Sequence, residues 1–211
     1  MEHEFWHRKW SDNDIGFHSA APHPLLLRHL AALGLHPGAR VFLPLCGKSL
    51  DIHWLLQQGY RVAGAELSRL AVEQLFAELN LTPAITYEGT LERFEAEAIT
   101  VFAGNIFDLD RDALGPVDAV YDRAALVALP EAMRGEYTAH LAALTHHARQ
   151  LLISFDYDPA LMAGPPFSVP EHEVRRHYGG AYHVSRLERV ALKGGLKGHP
   201  AHEDAWLLEP R

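Results

Sequence analysis

Phe42-Leu43-Pro44-Leu45-Cys46-Gly47-Lys48-Ser49 follows a turn at Pro37-Gly38, begins as an apolar run and opens into an amphipathic stretch. Glu66 closes a second apolar run about twenty residues later, the spacing of a nucleotide-binding βαβ unit. In such a unit the first strand delivers the chain to a tight turn, the following helix offers free backbone N–H groups, and the acid ending the next strand can bind both ribose hydroxyls. Which nucleotide fits is decided by the turn. A phosphate loop of the form G-x-x-x-x-G-K-S needs glycine at position 42, where Phe42 stands, and Pro44 removes one N–H from the would-be cradle. A dinucleotide fingerprint needs three glycines, of which only Gly47 is present, and a pyrophosphate would meet Leu45 and Cys46. A nucleoside without phosphates escapes both objections, and S-adenosylmethionine is one such ligand. Glu66 equally suits a solvated carboxylate ahead of a helix.

Other candidates have ordinary readings beside the chemical ones. Cys46 has no paired base in sequence and suits a packing role, and Lys48 suits a solvated position. His3-Glu4-Phe5-Trp6-His7 matches the H-E-x-x-H zinc pattern, but a terminal segment gives it no buried scaffold and no third ligand follows at a recognised spacing. With fifteen histidines in the chain, such matches arise by chance, and His146, His147, His172, His177, His199 and His202 read as surface or hydrogen-bonded groups. No metal site is expected. Trp6 and Trp10 would share a face if the N-terminal segment is helical. They could glue that segment to the core, or hold an aromatic face near a sulfonium, an interaction of about 0.5 to 2 kcal/mol. Phe17 could wall a flat substrate.

These residues need elements to position them. Residues 1–20 are expected to form an N-terminal arm over the site, and residues 21–211 the α/β core of a single domain. Pro24 opens a helix stopped by Gly34, a strand covers about 40 to 46, Ser49 caps a helix ending at Gly59, and a second strand runs from Arg61 to Glu66. Ser68 starts a helix bearing Ala71, Val72, Leu75, Phe76 and Leu79, and weaker strands are expected at 84–87 and 98–103. Buried strands follow at 117–122 and 151–155, separated by a helix from Pro130 to about Ala148. After Pro165-Pro166, a short helix from Pro170 leads to strands near 181–190 and 204–209. Strands alternating with helices predict a doubly wound, mostly parallel sheet of seven strands with helices on both faces. Cys46, Glu66, Asn105 and Asp122-Arg123 fall at the carboxyl ends of its strands, where ligands bind in such sheets.

The totals bound the partners. The chain has 211 residues, 48% of them hydrophobic, and 19 basic against 27 acidic residues for a formal charge of -8. Without a basic run it has no electrostatic footprint for nucleic acid or an anionic membrane, which leaves small molecules. Cys46 is the only cysteine, consistent with a reducing compartment, and no signal peptide or membrane span is visible. A cytoplasmic monomer is expected.

The chain resembles the thiopurine S-methyltransferase family of class I methyltransferases over nearly its whole length. The likeness is carried by Phe5-Trp6-His7-Arg8-Lys9-Trp10, Gly16-Phe17-His18, Val41 through Ser49, Ile106-Phe107-Asp108-Leu109, Tyr121 through Ala128, Ser154 through Pro159, and Gly164-Pro165-Pro166-Phe167. The resemblance implies a Rossmann-like fold and S-adenosyl-L-methionine as cofactor, leaving S-adenosyl-L-homocysteine as product. It implies cofactor contacts from Trp10, Leu45, Glu66 and Arg123, with Asn105 and Ile106 near the adenine. The implied reaction methylates the sulfur of aromatic or heterocyclic thiols, with selenium or tellurium species as further acceptors, and needs no residue assigned as acid or base. Phe17 and Arg123 are the expected acceptor contacts, Arg123 by stabilising a thiolate. An O- or N-methyltransferase, or a non-catalytic adenosyl-binding protein, is the alternative.

Overall fold

Val41, Phe42 and Leu43 are completely or almost completely buried, and the same holds for Val62, Ala63 and Ala65, because both faces of these strands are covered. The computed structural model describes residues 3–16 and 18–211. Its elements run α1 (His3–Ser11), α2 (Pro24–His29), β1 (Arg40–Pro44), α3 (Leu50–Gln57), β2 (Arg61–Glu66), α4 (Arg69–Glu78), β3 (Ala84–Glu88), β4 (Leu91–Ala96) and β5 (Ile99–Ala103). They continue with α5 (Arg111–Leu114), β6 (Ala119–Arg123), α6 (Glu131–Leu144), β7 (Arg149–Tyr157), α7 (Glu171–Tyr178), β8 (Tyr182–Ala191) and β9 (Ala201–Pro210).

One sheet takes the order β3-β4-β5-β2-β1-β6-β7-β9-β8. The central run β5-β2-β1-β6-β7 is parallel, and antiparallel pairs flank it on both sides. Leu25, Ile52, Leu55, Val72 and Phe76 from α2, α3 and α4 pack into one core cluster, while Leu114, Tyr137, Leu141, Val174 and Tyr178 from α5, α6 and α7 pack into another. The doubly wound reading therefore holds, with two corrections: the sheet has nine strands, not seven, and it is mixed rather than mostly parallel. Eight of the nine strands fall at segments that the sequence marked as strands, and the unforeseen one is β4. Its buried residues, Leu91 and Phe94, are an odd number of positions apart, so they face opposite sides and leave no period-two alternation among the charges Glu92, Arg93 and Glu95.

Local chemistry sets the boundaries. Ser49 and Ser68 cap α3 and α4 by accepting from the N–H groups of Asp51 and Ala71. The helix expected to reach Ala148 stops at Leu144, where the Thr145 hydroxyl donates to the Leu141 carbonyl at 2.7 Å and His146 and His147 turn into the left-handed region. The consequence for the site is geometric: β1, β2, β6 and β7 all end at the same edge of the sheet.

Candidate active site

At that edge the chain leaves β1 through Leu45, whose φ of 46° is left-handed, and Gly47, whose φ is 53°. Two unusual backbone conformations within three residues bend the turn back, and Cys46 N–H still donates to the Ala65 carbonyl at 3.0 Å. Above the turn lies α1. The Trp10 indole sits where a side chain on Gly47 would begin, with its Cζ2 3.0 Å from an ideal Cβ, so glycine is needed for the approach as well as the turn. Phe5 and Trp6 meet edge to face, with centroids 5.1 Å apart.

Beneath this helix lies a cavity of about 650 Å³, in the ordinary range for a small-molecule site. Its lining includes Trp6, Trp10, Leu45, Gly47, Glu66 and Arg123. Glu66 is 6% exposed and therefore not the solvated carboxylate that its sequence position also allowed. One of its oxygens accepts from Gly47 N–H and the other from Ser68 N–H, each at 2.8 Å. Burial raises its pKa, and those backbone donors pull the other way. Lys48 is drawn off to Glu78 at 2.6 Å, so no cation stands ready for a phosphate at the turn. A buried carboxylate at the end of β2, a turn opened by glycine and an indole laid over it fit an adenosyl group without phosphates.

The far side of the cavity is built by β6, β7 and β9. Arg123 donates to the Ser19 hydroxyl at 2.9 Å and makes no ion pair with any described residue. Its neighbour Asp122 is fully buried, accepting from Tyr137 O–H at 2.7 Å and Leu126 N–H at 3.1 Å, and does not pair with Arg123. Ile153, Phe155, Pro165 and Pro166 supply apolar wall, and His18, Lys197 and Glu203 polar groups. Burial lowers the His18 pKa first, with Lys48 adding to the effect.

Of the residues singled out in the sequence, Trp10, Leu45, Glu66 and Arg123 are brought together. Asn105 and Ile106 sit outside the lining: the Asn105 side chain accepts from Phe107 N–H, and the buried Ile106 offers its carbonyl to His140 Nε2 at 2.9 Å. Phe17 lies outside the described residues. His3 and His7 stand on α1, and among the described residues no group of three or more His, Cys, Asp or Glu is placed to hold a metal. Phe155 sat on a strand legible in the sequence, whereas Glu203 carried no local signal because β9 alone brings it to the cavity.

Solved structures share this architecture. The Burkholderia thailandensis 1,6-didemethyltoxoflavin-N1-methyltransferase, solved with S-adenosylhomocysteine, superposes with a TM-score of 0.67 at 18% identity, covering 99% of this chain and 87% of that one. An S-adenosylmethionine-dependent methyltransferase from Anabaena variabilis gives 0.67 at 14% identity, covering 99% and 95%. The fold is that of the S-adenosylmethionine-dependent methyltransferases. The sequence profile of the thiopurine S-methyltransferase (TPMT) family matches residues 1–203. Thiopurine S-methyltransferase of Xanthobacter autotrophicus is 55% identical over 99% of both chains, and that of Gluconobacter oxydans 52% identical over 98% of this chain and 94% of its own. The chain belongs to the thiopurine S-methyltransferase family, and so to the enzymes that methylate sulfur at the expense of S-adenosylmethionine.

Proposed function

We propose that the cavity takes S-adenosylmethionine on its Trp10–Leu45–Glu66 side and an aromatic or heterocyclic thiol on its Arg123–Phe155 side, with selenols and tellurium species as further acceptors. The observation that carries this division is the charge balance. Lys9 pairs with Asp14 and Lys48 with Glu78, and the exposed Lys197 donates to the Pro165 carbonyl, whereas the part-buried Arg123 guanidinium meets only a neutral hydroxyl. It is a cation left for a ligand, beside an apolar wall suited to a ring.

When bound, the cofactor supplies an activated methyl group on a sulfonium centre. Glu66 holds the ribose end through lone pairs left over after its two backbone bonds. Trp10 closes the turn from above. Arg123 lowers the cost of a thiolate: each unit by which an acceptor's pKa falls is worth about 1.4 kcal/mol. Burial between α1 and the sheet excludes water and aligns the reactants, a contribution that can reach about 7 to 11 kcal/mol. The enzyme acts on small molecules, without a nucleic-acid or membrane partner, as a cytoplasmic monomer. No helix among the described residues is long and apolar enough to cross a membrane.

The test is methyl transfer from S-adenosylmethionine to a panel of thiophenols, heterocyclic thiols, selenols and tellurite, beside phenol analogues. Transfer to sulfur and selenium acceptors, with phenols unreactive, is expected. Equal transfer to phenols would overturn the preference for sulfur.

A further inference from the structure

Glu203 is the one acidic side chain on the acceptor side of the cavity among the described residues that line it. It stands opposite Phe155 in the β7–β9 ladder, and Arg123 stands opposite Ile153 in the β6–β7 ladder. Ile153 and Phe155 are two apart and so share a face, which puts Arg123 and Glu203 on that face too. All four line the cavity. Arg123 and Glu203 are thus separated by two strand spacings, about 10 Å, and two residues along the strand, about 7 Å, with apolar side chains between them.

The immediate contacts of Glu203 leave its charge available. Its Oε1 is 3.1 Å from His23 Nε2, and the pair is largely buried. His23 Nδ1 accepts from Leu25 N–H at 3.3 Å, so the ring proton resides on Nε2, which donates to Glu203. In that arrangement the imidazole is neutral and fixes the carboxylate without cancelling its charge. The backbone that carries the ring is itself fixed, because the main-chain N–H of His23 donates to Asp51, which also accepts from Tyr121 O–H at 3.1 Å. No described residue occupies Oε2.

A slot with a free cation at one end, a carboxylate at the other and apolar wall between matches a heteroaromatic acceptor in its thione form, H–N–C=S. We infer that Glu203 is the proton acceptor for this class of acceptor, a deepening that rests on the function proposed above. The sulfur forms the new S–CH3 bond as the methyl–sulfonium bond breaks and its electron pair leaves with the cofactor sulfur. The N–H electron pair becomes the ring C=N bond and the C=S electrons feed the new bond, while the proton passes to the Glu203 carboxylate and then to solvent. The product is a neutral S-methyl heterocycle, and charge balances because the sulfonium's positive charge departs as that proton. Thiophenol, which has no ring N–H, makes no use of Glu203. Arg123 serves both acceptors.

The test compares kcat/KM for 2-mercaptobenzimidazole and thiophenol in the wild type and in Glu203→Gln. Loss of a positioned base predicts that the ratio of the two falls by about 10²-fold or more, with affinity for S-adenosylhomocysteine by calorimetry unchanged. Glu203→Asp, which keeps the carboxylate, restores part of the ratio. An unchanged ratio, whether both acceptors fall together or neither falls, overturns the assignment and leaves Glu203 as a structural partner of His23. Failure of the wild type to methylate either acceptor would instead overturn the thiol reading itself, and the base with it.

Discussion

At the scale of single residues, Glu66 has the most demanding position. Its carboxylate is buried, its pKa is raised by that burial, and it joins the turn after β1 to the start of α4 by accepting from both. Hydrogen bonds to a charged group contribute about 1.5 to 3 kcal/mol each. Glu66→Ala is therefore expected to weaken S-adenosylhomocysteine binding at least about tenfold while the chain still unfolds cooperatively, a loss that calorimetry reads directly. Sequence spacing left Glu66 divided between ribose ligand and surface acid. What decides is burial, which depends on α1 lying overhead, and no pattern within the strand encodes that.

At the scale of elements, the contact between α1 and the β1 turn couples the arm to the site. An alanine at position 47 would carry its Cβ into the Trp10 ring and hold a φ that favours glycine. Gly47→Ala should cost about 1 to 2 kcal/mol in stability from backbone conformation alone. It should also reduce cofactor affinity, since the ring must shift; urea unfolding and calorimetry measure the two effects separately. The two tryptophans four residues apart left open whether the arm is helical, whereas the cap residues Ser49 and Ser68 were legible. The β3–β4 hairpin was less so. Its first strand has every residue at least partly exposed and its second has no alternation, so only pairing with β5 defines it.

At the scale of the whole molecule, the pH dependence of folding should carry the mark of Asp122, buried at the end of β6. Desolvation lifts its pKa to about 6, against hydrogen bonds from Tyr137, Leu126 and Ala125 that act in the opposite sense. A folded pKa above the unfolded value of 3.8 means that its stabilising contribution is complete below about pH 4 and disappears as pH rises through 6. The full swing is about 3 kcal/mol. Asp122→Asn removes this titration, so the stability of the wild type relative to the variant should decline from about pH 4 to about pH 7 by an amount of that order. Urea unfolding at several pH values checks it, and parallel profiles would refute it. The central parallel strands could be read from continuous apolar runs because both their faces are covered. Glu203 could not, because its place across the cavity from Arg123 depends on β9 crossing back to pair with β7, a relation between segments far apart in the chain.

Cys46, the chain's lone thiol, lies in the lining of the cavity, 8% exposed, and burial together with the nearby Glu66 carboxylate raises its pKa well above the ordinary range. An enzyme that brings an electrophilic methyl donor to sulfur nucleophiles carries one such nucleophile in its own wall. Because the protonated thiol is a poor nucleophile, the features that make the pocket dry and acidic on this side also protect the catalyst from self-alkylation.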